Sequence, residues 1–519
     1  MRLSRLRPAR PLMLHPPRST AFRRARARLR SVQIGFHPLV GALMLVALGF
    51  HAATFRPEPW WGDAYQYLLH AQNLLSGQPY ADTGYVPSPY AYVAPAAYPV
   101  GYPLLLAPVL ALFGLDPFAI ALLGTLLVLG TAWAAATLAR GWLPPPYAIG
   151  LALLIAFQPA LIALARLPRS DTAFVLFTTL CLLFAERASY RTTRWRRWAL
   201  LAGLALAAAA LTRTLGLVLI PAVLAPGLLR SRRVTAPALR AVGVGAALWL
   251  LVSLIPLGGP AVVVPDAASG YGGLIQTDLL RDLARIPARV VAYTRATFPL
   301  WEVPGVDPLK HLLFAVALVP VGVGFLHRAR RRPGPAEAFV ALYGLALLLW
   351  ASPSARSLYP LYPLYYLYLC IGVWRLGRTH VSRQWATAAL LIAAVALSYG
   401  GRYARASSAP PGERVDDRDR AVYDALREAS PEDAIVLTTG DPRAQVYYTG
   451  RAVTRGPGEL AEWRRYADAL GATYALVRDG SEIGPALLRD PRHQLVRRDG
   501  PLTLYRICPE ACVDLPAEP

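Results

Sequence analysis

The sequence predicts an α-helical polytopic membrane protein with about eleven transmembrane helices and a small C-terminal α/β extracytoplasmic domain. Hydrophobic residues make up 55% of the 519-residue chain, charged residues make up 16%, and the mean hydropathy is +0.36. Soluble proteins carry about 25% charged residues, so the composition excludes an ordinary soluble protein. Long apolar stretches recur along the chain, and dense charges of mixed sign appear only beyond about residue 405.

The apolar stretches set the number of predicted spans. A bilayer core about 30 Å thick needs roughly 20 apolar residues in a helix that rises about 1.5 Å per residue. A basic segment precedes the first stretch, and no small-residue cleavage site follows it, so we interpret that stretch as an uncleaved helix rather than a signal peptide. The predicted spans are 36–55, 117–139, 146–165, 171–187, 198–212, 214–229, 239–257, 309–326, 337–351, 358–374 and 385–400.

The distribution of arginine orients these spans. A formal charge of +23 is typical of nucleic-acid-binding proteins and of membrane proteins with a basic cytoplasmic face. With the N-terminus inside, the inner segments hold 27 arginines and two acids, Glu186 and Glu337. This pattern predicts a cytoplasmic N-terminus and no nucleic-acid partner. The inner segments are 1–34, 140–145, 186–197, 230–240, 327–337 and 375–384.

One further apolar stretch, Tyr98–Gly114, is not counted as a span. Counting it would place the arginine-rich loops outside, against the positive-inside rule. Its prolines at 99, 103 and 108 favour a broken helix on the outer surface. A true span there, offset by the fusion of two others, remains an alternative.

The chain therefore divides into three predicted parts. Residues 1–34 form a basic cytoplasmic segment, 35–404 a transmembrane domain with an outer loop at 56–116, and 405–519 an extracytoplasmic α/β domain and tail. In the third part, periodicity predicts helices at Arg418–Ala429 and Glu459–Leu470, strands at Ala434–Thr438, Thr473–Val477 and Leu502–Ile507, and a linker at Pro410-Pro411-Gly412.

The four cysteines indicate neither a disulfide scaffold nor a zinc site, because no CxxC motif or Cys/His cluster is present. Cys508 and Cys512 would lie in an oxidising compartment, where either a local bridge or two free thiols would fit the sequence.

Ionisable residues at the outer ends of the predicted helices are the candidates for chemistry, because charge near lipid is costly and marks function. Asp63 and Asp171 each begin a predicted helix, so each is either a helix cap or a carboxylate fixed for catalysis. Arg356 is either an interfacial anchor or a guanidinium that binds phosphate. Arg213, in another short outer turn, is a weaker candidate of the same kind.

An ordered set of motifs resembles the GT-C superfamily of integral-membrane glycosyltransferases, in particular bacterial members related to protein O-mannosyltransferases and the lipid A aminoarabinose transferase. The resemblance covers roughly residues 36–400. The motifs are Trp61-Gly62-Asp63-Ala64-Tyr65, Tyr98-Pro99-Val100-Gly101-Tyr102-Pro103-Leu104, Arg169-Ser170-Asp171-Thr172, Leu211-Thr212-Arg213, and Arg356 followed by Leu358-Tyr359-Pro360-Leu361.

The resemblance implies transfer of a sugar from a polyprenyl-phosphate carrier on the outer face of the membrane. It implies that Asp63 is the catalytic base. Most relatives have a second acid beside this aspartate, where this chain has Ala64, so Asp171 is the candidate for a second carboxylate. The residues expected to bind substrate or phosphate are Arg356, Arg213, Arg169, Tyr65 and Tyr359.

The expected partners are the lipid bilayer, a polyprenyl-phosphate-linked sugar as donor and an acceptor that is a lipid, a glycan or a protein. No cofactor is expected, because no Walker A loop or dinucleotide fingerprint is present, and a divalent metal remains open. The use of arginine rather than lysine, with abundant alanine and proline, indicates a GC-rich bacterial genome, and together with the spans it predicts a location in the bacterial inner membrane. The alternatives are a transporter or flippase of lipid-linked saccharides, which predicts internal repeats and midplane charges, and a non-catalytic scaffold.

Overall fold

The computed structural model describes residues 38–189, 193–264, 283–297, 307–349, 354–377, 381–408 and 415–512. Two of the sequence predictions, the basic segment 1–34 and the linker at Pro410–Gly412, lie outside these residues. Up to residue 408 the described chain is helical apart from loops and one two-residue strand, and the rest of a mixed sheet follows with its flanking helices.

The helices of the first part include two short 3₁₀ turns, Thr214–Val218 and Ala355–Leu361. The α-helices are α1 (Pro38–Ala53), α2 (Asp63–Ser76), α3 (Gly101–Phe113), α4 (Pro117–Ala139), α5 (Pro145–Ala156), α6 (Pro159–Ala165), α7 (Asp171–Ser189), α8 (Trp195–Thr212), α9 (Leu219–Ser231), α10 (Ala236–Ser253), α11 (Ile286–Thr297), α12 (Asp307–Arg331), α13 (Pro335–Leu349), α14 (Tyr362–Leu376) and α15 (Val381–Ser408).

Local sequence fixes where several of these helices begin. The side chain of Asp116 accepts a hydrogen bond from the backbone N–H of Phe118, and Pro117 follows as the first residue of α4. Gln158 caps α6 in the same way, ahead of Pro159. Proline suits the first helical position because its missing N–H would have no partner within the helix.

Every predicted span overlaps a described helix or a pair of consecutive helices. Fewer of these helices are long and apolar enough to cross a membrane by themselves. Within the described residues, four helical segments are long and apolar enough to cross a membrane individually. A fifth span results if α5 and α6, which meet at a bend of 47°, are taken together. The prediction of eleven spans therefore depends on shorter helices too. The four segments are α4, α7, α10 and His311–Arg331 of α12.

The prediction of a broken helix at Tyr98–Gly114 is wrong. Helix α3 runs without interruption through Pro103 and Pro108. Pro103 falls in the first turn, where its missing N–H costs no hydrogen bond, and Pro99 precedes the helix. Only Pro108 removes a bond from the interior of the helix, and the remaining bonds keep it continuous.

Two of the long helices touch at their backbones. A Cβ atom added to Gly372 of α14 would lie 1.7 Å from the carbonyl oxygen of Pro320 in α12. A Cβ atom on Gly324 would lie 2.0 Å from the carbonyl oxygen of Tyr368. Small residues at such a crossing let helices in a membrane approach closely, so α12 and α14 form a tight pair.

A buried ion cluster joins the inner segments that were predicted from charge. The Arg328 side chain is fully buried, with Nη2 2.7 Å from Glu186 Oε2 and Nε 2.8 Å from Glu337 Oε1. The Trp142 indole N–H also donates to Glu186, and the Tyr368 hydroxyl donates to Glu337. Four of the predicted inner segments or their adjoining helices thus meet at one end of the bundle.

The C-terminal part contains helices α16 (Val415–Ala429), α17 (Pro442–Thr449), α18 (Leu460–Leu470) and α19 (Gly484–Arg489). Its strands are β2 (Ile435–Thr438), β3 (Ala452–Arg455), β4 (Tyr474–Arg478), β5 (His493–Asp499) and β6 (Leu502–Ile507). The predicted helices and strands are all present. Strands β3 and β5 and helices α17 and α19 were not predicted. Cys508 and Cys512 are joined in a disulfide.

The sheet takes one strand from the outer loop of the first part. Strand β1 (Tyr85–Val86) pairs in parallel with β3, with Tyr85 opposite Val453 and Val86 opposite Thr454. The full order is β1-β3-β2-β4-β6-β5, parallel from β1 to β4 and antiparallel beyond. The outer loop and the C-terminal part therefore form one folded unit across the predicted domain boundary.

A buried histidine holds the outer loop against α2. The side chain of His70 is 0% exposed and stacks on Tyr80. Its Nε2 accepts a hydrogen bond from the backbone N–H of Tyr98 at 3.3 Å, so its Nδ1 carries the proton and donates to the carbonyl of Tyr80 at 2.7 Å. Burial lowers the pKa of His70 to about 4, with the Tyr80 hydrogen bond opposing that shift.

Because His70 is buried in its neutral form, we expect the folded protein to lose stability in acid. Its pKa rises from about 4 in the folded chain to about 6.5 when unfolded, so the unfolded state binds more protons between these values. Stability should be fully present above about pH 6.5 and fall as the pH decreases toward 4. The thermal unfolding temperature in detergent should fall more steeply with decreasing pH for the wild type than for His70→Gln, whose side chain cannot titrate. Parallel pH profiles of the two proteins would contradict the assignment.

Candidate active site

Asp63 is the first residue of α2, and its side chain does not cap that helix. Gly62 occupies the N-cap position with φ of +59°, and no side-chain cap is formed there. The carboxylate of Asp63 instead contacts four side chains that are distant from it in the sequence. The interpretation of Asp63 as a helix cap is therefore wrong.

Each oxygen of the Asp63 carboxylate has its own donors. Oδ1 accepts hydrogen bonds from the Tyr98 hydroxyl at 2.8 Å and from Nη1 of Arg443 at 2.5 Å. Oδ2 accepts a hydrogen bond from Nη1 of Arg356 at 2.8 Å, and Nη2 of Arg169 lies 3.7 Å away. Three guanidinium groups thus surround one carboxylate.

Asp171, at the start of α7, is the second carboxylate of the site and is 2% exposed. It accepts hydrogen bonds from Arg213 and, at 3.1 Å, from Nη2 of Arg356. Nε of Arg169 lies 3.6 Å from Asp171 Oδ2. Arg356 therefore bridges the two carboxylates, with one terminal nitrogen on Asp63 and the other on Asp171.

Arg169 is buried without a full set of hydrogen bonds. Its side chain is 0% exposed, its guanidinium stacks over the Trp61 ring at 4.1 Å, and its ion pairs with Asp63 and Asp171 are longer than hydrogen bonds. Among the described residues, none of its three side-chain nitrogens has a hydrogen-bond acceptor. Buried donors are ordinarily satisfied, so these nitrogens are suited to an anionic ligand.

The environment of Asp63 favours its charged form. Burial alone would raise the pKa of its carboxyl, but Arg356, Arg443 and Arg169, with the Tyr98 hydroxyl, outweigh burial and hold that pKa well below its usual range. Burial likewise opposes the charge on Arg356, but its two carboxylate partners keep the pKa of this guanidinium above its usual value.

Most of the predicted site residues meet at this point. Asp63, Asp171, Arg169, Arg213 and Arg356 form one cluster of ion pairs. The sequence placed them at the outer ends of separate helices, and the fold brings those ends together.

The two predicted tyrosines differ from each other. Tyr359 lies three residues after Arg356 in the same 3₁₀ turn, where side chains at this spacing share one face. The ring of Tyr65 packs on Tyr447 and Tyr448, and its hydroxyl donates to the carbonyl of Trp60. These contacts give Tyr65 a packing role, and its binding of substrate stays a prediction.

The sequence analysis missed Arg443 and Tyr98. Arg443 lies in the C-terminal part among many other arginines, and nothing in its local sequence distinguishes it. Tyr98 begins one of the motifs quoted above, so its position was noted without a role. A stack between Tyr98 and Tyr67 orients it, and Tyr67 in turn is hydrogen-bonded to Ser170.

The cluster carries an excess of positive charge. Counting Asp441, which pairs with Arg443, three carboxylates face four guanidinium groups. Within the described part of the chain, no three His, Cys, Asp or Glu side chains are grouped so that they could hold a metal ion. The arrangement is suited to a singly or doubly charged anion beside a carboxylate that remains ionised.

Comparisons with known proteins agree with this fold. Residues 97–256 match the family model for dolichyl-phosphate-mannose-protein mannosyltransferase. No curated protein sequence matches the chain. The structure is similar to that of ArnT from Cupriavidus metallidurans in the apo state, at 15% identity over 92% of this chain and 98% of that chain, with a TM-score of 0.57.

Two further solved structures are similar to this chain. One is the same ArnT bound to undecaprenyl phosphate, at 14% identity over 92% of this chain and 99% of that chain (TM-score 0.55). The other is the archaeal oligosaccharyltransferase AglB from Archaeoglobus fulgidus with an inhibitory peptide and a dolichol-phosphate, at 12% identity over 84% and 69% (TM-score 0.54). The resemblance inferred from the sequence is therefore confirmed: the chain has the fold of the GT-C superfamily of integral-membrane glycosyltransferases.

Proposed function

We propose that this protein is a membrane glycosyltransferase that uses a polyprenyl-phosphate-linked sugar as donor, with Asp63 as general base. The observation that carries the proposal is the guanidinium of Arg356, which bridges Asp63 and Asp171 beside the unsatisfied nitrogens of Arg169. These contacts support the proposal, because guanidinium groups of the kind that bind phosphate lie within contact distance of a carboxylate that can accept a proton.

The leaving group explains the need for arginine. As the bond between the anomeric carbon and the phosphate oxygen breaks, its electron pair stays on the lipid phosphate and negative charge grows there. Arg356 and Arg169 stabilise that charge by hydrogen bonds that a planar guanidinium forms well with phosphate. Arg213 lies on the far side of Asp171 and keeps that carboxylate paired. Tyr359 follows Arg356 by three residues in the same 3₁₀ turn, and this shared face supports its proposed role in binding the donor.

The acceptor explains the need for a carboxylate. A hydroxyl group is a weak nucleophile, and Asp63 assists by taking its proton while the hydroxyl oxygen bonds to the anomeric carbon. A carboxylate held by three guanidinium groups is a weak base, because its pKa is far below the usual range. Transfer of Arg356 from Asp63 to the donor phosphate removes part of that restraint and makes Asp63 a better base in the presence of donor. Asp171 is the proposed second carboxylate and orients Arg356.

The comparisons support the donor class. ArnT is described bound to undecaprenyl phosphate, and AglB is described with a dolichol-phosphate and a peptide. We extend the lipid phosphate to this chain because its cluster has a matching excess of guanidinium groups. The acceptor hydroxyl belongs to a lipid, a glycan or a protein.

The transporter alternative predicts charges near the membrane midplane. In α7 the charged contacts lie at the two ends instead, with Asp171 in one cluster and Glu186 in the other. Fifteen residues of helix separate them by about 22 Å. This distribution favours an enzyme with its site at one membrane face.

We further propose that the site faces the extracytoplasmic side of a bacterial inner membrane, with eleven spans, a cytoplasmic N-terminus and residues 405–519 outside. The arginine count supports this orientation. The clustering of Arg328, Glu186 and Glu337 supports it too, because these residues come from segments that the count assigned to one side.

We expect Asp63→Asn to reduce sugar transfer by at least about 100-fold, because an amide cannot accept the acceptor proton. Asp116→Asn is the matched control: it makes the same change in the same outer loop, and asparagine caps a helix as well as aspartate does. Mass spectrometry of lipid-linked sugars and envelope glycans should show product with the control and none above background with Asp63→Asn. Full product from Asp63→Asn, at equal protein level, would eliminate the proposed base.

The proposed topology predicts the labelling of single cysteines by a membrane-impermeant maleimide in intact cells. Arg465→Cys in the C-terminal part should react, because the Arg465 side chain is 76% exposed and lies outside the membrane. Arg233→Cys, exposed in a predicted inner segment, should react only after permeabilisation. The native thiols Cys181 and Cys370 are buried and contribute little background. Labelling of position 233 alone in intact cells would reverse the proposed orientation.

A further inference from the structure

The C-terminal part supplies one of the guanidinium groups that surround Asp63. Arg443 lies in the first turn of α17, 380 residues along the chain from Asp63, and its Nη1 is 2.5 Å from Asp63 Oδ1. Its side chain is 13% exposed. The contact therefore joins two distant parts of the sequence inside a largely buried site.

Several packing contacts fix α17 against the outer loop, so this contact does not depend on one flexible side chain. The rings of Tyr447 and Tyr448 in α17 pack on Tyr65 of α2 at centroid distances of 5.2 and 5.7 Å. The strand that follows α17 pairs with β1 of the outer loop. Tyr65 thus acts in docking α17.

The residue before Asp63, Gly62, has an unusual backbone conformation and lies against the Arg443 side chain. Gly62 has φ of +59°, a conformation that residues with a Cβ atom rarely adopt. A Cβ atom at this position would lie 3.4 Å from Nη2 of Arg443. The positive φ therefore explains the glycine at this position, and the 3.4 Å distance shows that the Arg443 guanidinium packs directly against it.

Arg443 and Arg356 are held in different ways. Asp441 binds Arg443 through two parallel hydrogen bonds, from Nε to Oδ1 at 2.9 Å and from Nη2 to Oδ2 at 2.8 Å. Arg356 has hydrogen bonds only to Asp63 and Asp171 among the described residues, and its buried Nε has no acceptor there. A phosphate can therefore replace the partners of Arg356, whereas Arg443 would have to leave the carboxylate of its own helix.

From this contrast we propose that Arg443 is a positioning residue that, with Tyr98, anchors Oδ1 of Asp63 so that Oδ2 is the oxygen that accepts the proton. The proposal rests on the function proposed above. Oδ1 keeps its fixed donors throughout the reaction. Oδ2 loses Arg356 to the donor phosphate and becomes free to bind the acceptor hydroxyl. The C-terminal part thereby contributes directly to the orientation of the base.

The test uses the full-length protein in nanodiscs and two readouts. The first is the rate of sugar transfer. The second is modification of Asp63 by a carbodiimide, which reacts with the protonated carboxyl, measured by peptide mass spectrometry between about pH 4 and pH 7. In the described part of the chain, the charged or titratable groups that face Asp63 directly are Arg356, Arg169, Arg443 and Tyr98, so a change at Arg443 alone alters one known neighbour.

Arg443→Met should lower the transfer rate by roughly one to two orders of magnitude, because a misplaced base costs about that much. It should also move carbodiimide labelling of Asp63 to higher pH, since one positive neighbour is lost. Arg443→Lys keeps the charge without the paired contacts to Asp441 and should be intermediate. Arg464→Met is the matched control: it removes a similar bidentate pair, with Asp490, elsewhere in the same part of the fold and should behave as wild type.

Asp441→Asn provides a second variant that leaves Arg443 in place and should lower the rate by a smaller factor. A wild-type rate with unshifted labelling in Arg443→Met would overturn the assignment, and so would a faster rate, which would mean that Arg443 obstructs Asp63. Failure of the wild-type protein to transfer sugar from any polyprenyl-phosphate donor would contradict the proposed function instead. The labelling shift is read without turnover and distinguishes these two failures.

Discussion

The end of the helical part that carries Asp63 depends on one shared guanidinium, that of Arg356, which binds Asp63 and Asp171 at the same time. Leaving a buried charge unpaired costs several kcal/mol, so the helix ends that carry these residues must meet for any of them to be buried. The same constraint makes the site responsive to an anion. A phosphate that binds Arg356 replaces a carboxylate partner rather than filling an empty space, and the carboxylate that it releases is the proposed base.

Much of the fold follows from apolar length and arginine position. These two features placed a helix at every predicted span and grouped the loops that carry Arg328, Glu186 and Glu337 on one side. Sequence patterns did not predict the elements that depend on contacts between distant parts of the chain. Strand β1 has only two residues, too few for an alternating pattern, and it exists because β3 lies beside it. Pro108 predicted a break in α3, but one lost hydrogen bond does not end a helix whose other bonds remain.

As with the fold, part of the candidate site could be predicted from the sequence and part could not. Asp63, Asp171 and Arg356 stood out because each is a charge beside the outer end of a predicted helix. Arg443 did not, since the C-terminal part holds many arginines and only tertiary packing brings this one to Asp63. Tyr65 was predicted to bind substrate, and in the structure its ring packs on Tyr447 and Tyr448. This tyrosine docks the helix that carries the missed arginine.

A cryo-EM structure of the protein in nanodiscs with undecaprenyl phosphate tests the central claim most directly. The account predicts that the phosphate contacts Arg356 and Arg169, and that Arg356 has separated from Oδ2 of Asp63 while Arg443 still holds Oδ1. A phosphate bound elsewhere, with Arg356 still bridging Asp63 and Asp171, would show that the ion cluster is a structural element and not the donor site.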